Sequence, residues 1–171
     1  PGATFVSEVK ASQALYDEIE RLGGRAIMWK VGHSLIKEKM KAEQALLAGE
    51  MSGHMFFAHR YYGFDDAIYA AARLCELLSR SDRTLSDHVD TLPALCNTPE
   101  IRLSCPDDIK FEVVRRAAET FRARYPVVDI DGARVRFEGG WGLVRASNTG
   151  PVLVLRFEAE SAERLAELRA L

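Results

Sequence analysis

Apolar and polar positions recur with a period that changes along the chain, and each change marks an element. Ala3 to Val9 reads as a strand, and a helix follows near Ser12 to Leu22, closed by Gly23-Gly24. Arg25 to Trp29 predicts a second strand, then a helix after Gly32 for which Ser34 is the expected N-cap. Ala45 to Ala48 predicts a short buried strand that runs into a glycine-flanked loop, and His54 to Ala58 extends it. From about Asp65 the period becomes helical: Ile68, Ala71, Leu74, Cys75 and Leu78 recur every three or four residues, with Asp65 and Asp66 complementing the N-terminal dipole.

The pattern then lapses. Ser79 to Thr84 is polar, and Thr91 to Pro106 contains Pro93, Pro99 and Pro106, so a domain boundary is expected here, dividing the chain into 1–88 and 89–171. Beyond it Phe111, Val114, Ala118 and Phe121 form one apolar helical face that ends before Pro126. A period of two takes over in Val128 to Ile130, Val135 to Phe137, Leu143-Val144 and Val152 to Phe157, with a turn at Asp131-Gly132 and a last helix from Ser161. The expected architecture is a three-layer α/β domain with a mostly parallel sheet, followed by a small α+β domain with an antiparallel sheet and flanking helices.

Composition narrows the function classes. The 171 residues are 47% apolar and carry a net charge of −2, with a pI of about 6.1, so no global positive field gathers nucleic acid or an anionic membrane. No apolar run approaches the ~20 residues of a membrane span and no signal-peptide pattern opens the chain, which makes a cytoplasmic location the expectation. Cys75, Cys96 and Cys105 are odd in number and lack Cys-x-x-Cys spacing, so reduced structural thiols are expected rather than disulfides or zinc. A strand signal with nothing ahead of it suggests a fragment.

Any anion must then be bound locally, and Arg145-Ala146-Ser147-Asn148-Thr149-Gly150-Pro151 offers the means. The stretch lies between two strand signals. Its backbone N–H groups, with Ser147, Asn148 and Thr149, can line one concavity while Arg145 presents a planar fork to phosphate oxygens. The same composition also suits a solvated hairpin loop, and it lacks the Walker spacing. Glu50 and Ser52, in Gly49-Glu50-Met51-Ser52-Gly53-His54, are two apart on a segment read as extended, so they project to one side and suit a sugar diol. A turn or capping role fits them too. The serine is out of register for a nucleophile elbow, and Glu50 with His54 completes no metal set. His33 and Lys10 each follow a strand, where α/β sheets place ligands, although either also fits as a surface charge. His54, His59 and His88 are expected to be structural or exposed, and Arg115, Arg116, Arg122 and Arg124 to be a solvated helix face.

Several stretches together resemble the C-terminal part of the α-D-phosphohexomutase family, in its bacterial phosphomannomutase/phosphoglucomutase branch. They are Glu8-Val9-Lys10, Trp29 to Lys37, Leu46 to His54, Gly63-Phe64-Asp65-Asp66 and Gly142 to Thr149. Met51 stands where the glucosamine phosphate branch tends to carry glutamine. The resemblance implies most of a third domain up to about residue 90, followed by a fourth. It implies that Lys10 and His33 contact the ligand, that Glu50 and Ser52 hold sugar hydroxyls, and that Arg145, Ser147, Asn148 and Thr149 bind the phosphate not undergoing transfer. It further implies interconversion of hexose 1- and 6-phosphates of mannose and glucose through a phosphoserine and a hexose 1,6-bisphosphate, with Mg2+. The family's phosphoserine and magnesium runs occur nowhere in this sequence, so the chain alone is expected to bind without turnover and to need the N-terminal domains of the same enzyme as partners. A stand-alone sugar-phosphate binding module and a phosphoglucosamine mutase are the alternatives.

Overall fold

The computed structural model describes residues 1–171, which divide into two compact units, Pro1–Pro93 and Ala94–Leu171. In the first unit β1 (Thr4–Glu8), α1 (Gln13–Arg21), β2 (Arg25–Trp29), α2 (His33–Ala42), β3 (Leu47–Gly49), β4 (Met55–Phe57), β5 (Phe64–Asp65), α3 (Ala67–Ser79) and α4 (Leu85–Val89) follow in chain order. The sheet order is β2-β1-β3-β4-β5, parallel across β2, β1 and β3 and antiparallel beyond. The sheet is therefore mixed. Residues 54–58 do not prolong β3; they double back as its hairpin partner β4.

The chain steps from β1 to β2 in one direction and from β2 back past β1 to β3 in the other. Right-handed crossovers then place α1 and α2 on opposite faces. Under α2, Val6, Ile36, Met40, Ala45, Ala48 and Phe56 form the core, flanked by Ile27 and Trp29. Opposite it, α3 packs on β4 through the edge contact of Tyr69 with Phe57, whose centroids are 5.6 Å apart. The face α3 turns inward is not the apolar stripe its periodicity suggested: Ile68 is 85% exposed, while Arg73, Tyr69 and Glu76 are half-buried. Arg73 spends its cation on the Phe57 ring, 4.9 Å away, and on Glu76 at 3.1 Å, which lets a polar face pack.

Other local differences have local causes. α2 is capped by Gly32 rather than Ser34, at φ 127° and with no side-chain cap; Ser34 falls inside the first turn. Thr84 and Asp87 form a capping box that starts α4, a short helix between the polar stretch Ser79 to Thr84 and the proline-bearing stretch from Thr91. No helix is long and apolar enough to cross a membrane. The cysteines are unpaired, with Cys105 buried and Cys75 exposed.

The second unit contains β6 (Cys96–Asn97), β7 (Ile101–Ser104), α5 (Lys110–Arg122), β8 (Val127–Val128), β9 (Ala133–Phe137), β10 (Gly140–Ala146), β11 (Val152–Ala159) and α6 (Ala162–Arg169). Its antiparallel sheet runs β6-β11-β10-β9-β8, with β7 also on β11. Strands β6 and β7 were hidden by the prolines, which sit between them and just after them. One face of the sheet supplies Val135, Phe137, Val144, Ala146, Leu153 and Leu155 to cores shared with α5 and α6. The other carries Arg134, Trp141, Arg145, Arg156 and Glu158, all buried, with the Arg134 guanidinium 3.8 Å above the Trp141 ring. Within the expected face of α5, Val114 and Ala118 are buried but Phe111 is 60% exposed, and Lys110 is buried in its place.

Candidate functional site

Strands β1, β2 and β3 are parallel, so their C-terminal ends lie along one edge of the first unit, and the sequence places Lys10, His33 and Glu50 just beyond them. This is where α/β sheets open a crevice. The loops are tied together by carboxylates. Glu8, fully buried, accepts the Met51 N–H at 3.0 Å and the Lys10 N–H at 3.2 Å, with the Lys10 ammonium 3.8 Å away. Glu50 accepts the Gly32 N–H at 2.9 Å, joining the β3–β4 loop to the start of α2. Lys10, His33, Glu50 and Ser52 are thus brought to one edge.

The Glu50–Ser52 segment is not extended. Gly53 N–H donates to the Glu50 carbonyl at 3.0 Å, closing a turn between β3 and β4, so the two side chains owe their shared location to that turn rather than to strand alternation. Two further residues join them. His54 Nδ1 lies 2.7 Å from Asp65 Oδ2, and its ring centroid is 6.5 Å from that of His33. His54, expected to be structural or exposed, is exposed and held by Asp65. Glu8 carried no signal beyond its place in a motif.

Burial pushes the Glu8 carboxyl above the ordinary value of 4.5; Lys10 and the two N–H donors oppose this and Glu50 reinforces it. Between the ordinary and the raised value, the folded state binds a proton that the unfolded chain has released. The stability Glu8 contributes is complete below about 4.5 and is lost as pH rises through the raised folded value. Urea unfolding from pH 4 upward is expected to show the wild type losing stability relative to Glu8→Gln as pH climbs. Parallel curves for the two proteins contradict this.

In the second unit, β10 and β11 form a hairpin whose turn holds Ser147, Asn148 and Thr149. Ser147 N–H donates to the Val152 carbonyl at 3.0 Å, and Thr149 N–H to Ser147 Oγ at 3.2 Å. Arg145, 5% exposed, donates through Nη2 to both oxygens of Asp131 at 3.1 and 3.3 Å, while its Nε is buried without an acceptor. Asn148 and Thr149 are exposed. The turn thus presents a guanidinium already oriented by a carboxylate, beside hydroxyl and amide groups suited to an oxyanion. No group of three or more His, Cys, Asp or Glu side chains is arranged to hold a metal ion.

Comparison with known proteins gives these features a lineage. Residues 1–95 match the family model for phosphoglucomutase/phosphomannomutase, alpha/beta/alpha domain III, and residues 100–171 match that for the C-terminal domain. A phosphomannomutase/phosphoglucomutase of Pseudomonas putida is 50% identical over 99% of this chain, which covers 37% of that protein. A phosphoglucomutase of Neisseria gonorrhoeae is 49% identical over 94% of the chain and 35% of its own length. The crystal structure of a phosphoglucomutase/phosphomannomutase family protein from Burkholderia thailandensis superimposes with a TM-score of 0.85 at 43% identity, over 99% of this chain and 36% of that one. The chain spans a little over a third of such relatives. By both domain matches, it belongs to the phosphoglucomutase/phosphomannomutase family, of which it carries domain III and the C-terminal domain.

Proposed function

We propose that this chain is the substrate-binding part of a cytoplasmic phosphomannomutase/phosphoglucomutase, in which Lys10, His33, Glu50 and Ser52 hold the sugar and Arg145, Ser147, Asn148 and Thr149 hold the phosphate that is not transferred. The observation that carries the reading is the buried, acceptor-free Nε of Arg145 beside a turn rich in exposed donors. Buried donors are nearly always satisfied, so an acceptor-free donor beside such a turn supports anion binding there.

The intact enzyme would interconvert hexose 1- and 6-phosphates of mannose and glucose through a phosphoserine and a hexose 1,6-bisphosphate. The phosphoserine and Mg2+ belong to the N-terminal domains, and no role with either falls to the residues of this chain. What these residues do is orient. Anchoring the distal phosphate uses its binding energy to align the opposite end of the sugar. A half-turn of the hexose roughly interchanges its 3-OH and 4-OH, so a carboxylate and a hydroxyl gripping that pair serve both poses of the bisphosphate. Neither need read the 2-OH, which accounts for acceptance of both mannose and glucose. Glu50 accepts hydrogen bonds here, and His54, held by Asp65, presents a second imidazole at the same edge.

Titration of the chain with glucose 1-phosphate tests the reading. Binding is expected with Kd no tighter than about 1 mM, or roughly −4 kcal/mol, since this chain spans only a little over a third of its relatives' length. NMR shifts are expected at Ser52 and at Asn148, with no mutase turnover. Turnover by the chain, or shifts confined to other regions, contradicts the assignment. Comparing mannose 1-phosphate with glucosamine 1-phosphate in the intact enzyme separates it from a phosphoglucosamine mutase.

A further inference from the structure

Lys110 is an unexpected buried residue. The residue is 5% exposed and sits in the first turn of α5, where the helix dipole disfavours a cation. Burying a charge is costly unless its hydrogen-bonding capacity is met. Here it is met in full: the Nζ donates to Asp107 Oδ1 at 2.6 Å, to the Ser147 carbonyl at 2.7 Å and to the Gly150 carbonyl at 3.1 Å. Those two carbonyls bracket Asn148 and Thr149.

A peptide unit is planar and trans, so its C=O and N–H point in opposite directions. Turning the Ser147 carbonyl toward Lys110 therefore turns the Asn148 N–H away from it, and Asn148 and Thr149 are exposed. We propose that Lys110 is a positioning residue for oxyanion binding by the β10–β11 turn, pinning the Ser147 and Gly150 carbonyls from behind so that the Asn148 N–H faces the ligand. It touches no ligand itself. Without the ammonium the Ser147 carbonyl loses its buried donor and the Ser147–Asn148 peptide is free to rotate, whereas the Gly150 carbonyl keeps the Val152 N–H at 2.9 Å. A flipped Ser147–Asn148 peptide presents a carbonyl oxygen, which repels an anion where the N–H attracted it. The proposal rests on the reading of this turn as a phosphate anchor and adds what holds the anchor in shape.

The test titrates the wild-type chain and Lys110→Met with inorganic phosphate at constant ionic strength, following backbone amide shifts by NMR alongside thermal unfolding. The wild type is expected to show saturable shifts at Asn148 and Thr149. Lys110→Met is expected to bind phosphate about tenfold more weakly and to lose the Asn148 response, as loss of the Asn148 N–H as a donor to the anion implies. Within the wild type, the side-chain ammonium signal of Lys110 is expected to follow the same phosphate dependence as the Asn148 amide. This second readout decides the matter if the variant does not fold, and an ammonium signal blind to phosphate overturns the proposal. A folded Lys110→Met that melts earlier but keeps wild-type phosphate affinity assigns Lys110 a purely structural role and also overturns it. A wild-type turn that does not respond to phosphate overturns the anchor reading, and this inference with it.

Discussion

Replacing Arg145 with alanine is expected to weaken hexose bisphosphate binding by the intact enzyme tenfold to a hundredfold, the equivalent of one charge-assisted hydrogen-bonding group at roughly 1.5–3 kcal/mol. The guanidinium is buried and already oriented by Asp131, so little conformational entropy is left to lose on binding. The substitution also strips Asp131 of its 3.1 Å partner. Breaking a buried pair destabilises, and since Asp131 has further interactions, about 2 kcal/mol is expected here. Calorimetric titration with glucose 1,6-bisphosphate, at a temperature where circular dichroism shows the variant folded, separates the two effects. Unchanged affinity in a folded variant removes Arg145 from the anchor.

Gly132→Ala should be at least as disruptive, without touching a ligand. Gly132 has φ 98°, and a Cβ built there lies 2.5 Å from Arg145 Cβ and 2.5 Å from the Val144 carbonyl oxygen. A left-handed residue bearing a side chain costs about 1–2 kcal/mol, and forced overpacking adds a further 1–3 kcal/mol. A loss of about 3–4 kcal/mol is a large share of the ~5–15 kcal/mol that holds a typical domain together. Gly150→Ala is the control, since its added Cβ meets nothing within 4 Å. Urea unfolding followed through Trp141, in a Trp29→Phe background, should show a large drop in midpoint for the first and little change for the second. Equal midpoints dismiss the steric argument. Because the contact is with Arg145, phosphate binding should fall together with stability in Gly132→Ala.

Most elements of both units could be read from the order of residues. Ser12 caps α1 through its own side chain, and β9, β10 and β11 keep their period of two from Ala133 to Ala159. These signals are local, arising within a few residues, and sequence carries them directly. The misreadings came where a distant partner overrode the local pattern. The apolar stripe of α3 predicted the wrong inward face because Arg73 can pair with both Phe57 and Glu76. Strands β6 and β7, in a proline-rich stretch with little pattern, exist because β11 supplies their ladder. Glu50 and Ser52 are neighbours through a turn, which two-residue spacing alone does not distinguish from a strand.

The candidate site divides in the same way. Lys10, His33, Glu50, Ser52, Arg145, Ser147, Asn148 and Thr149 could be put forward as candidates because motif chemistry is written in consecutive residues. The groups that support them could not. Glu8 reaches Met51 across 43 positions, Lys110 reaches Ser147 across 37, and Asp131 meets Arg145 across 14. The chain by itself determined the family, most of the succession of elements and the chemical character of each loop. Tertiary structure alone decided which charges are consumed inside the protein and which remain turned outward, because desolvation and hydrogen-bond pairing depend on neighbours that only folding brings within about 3 Å.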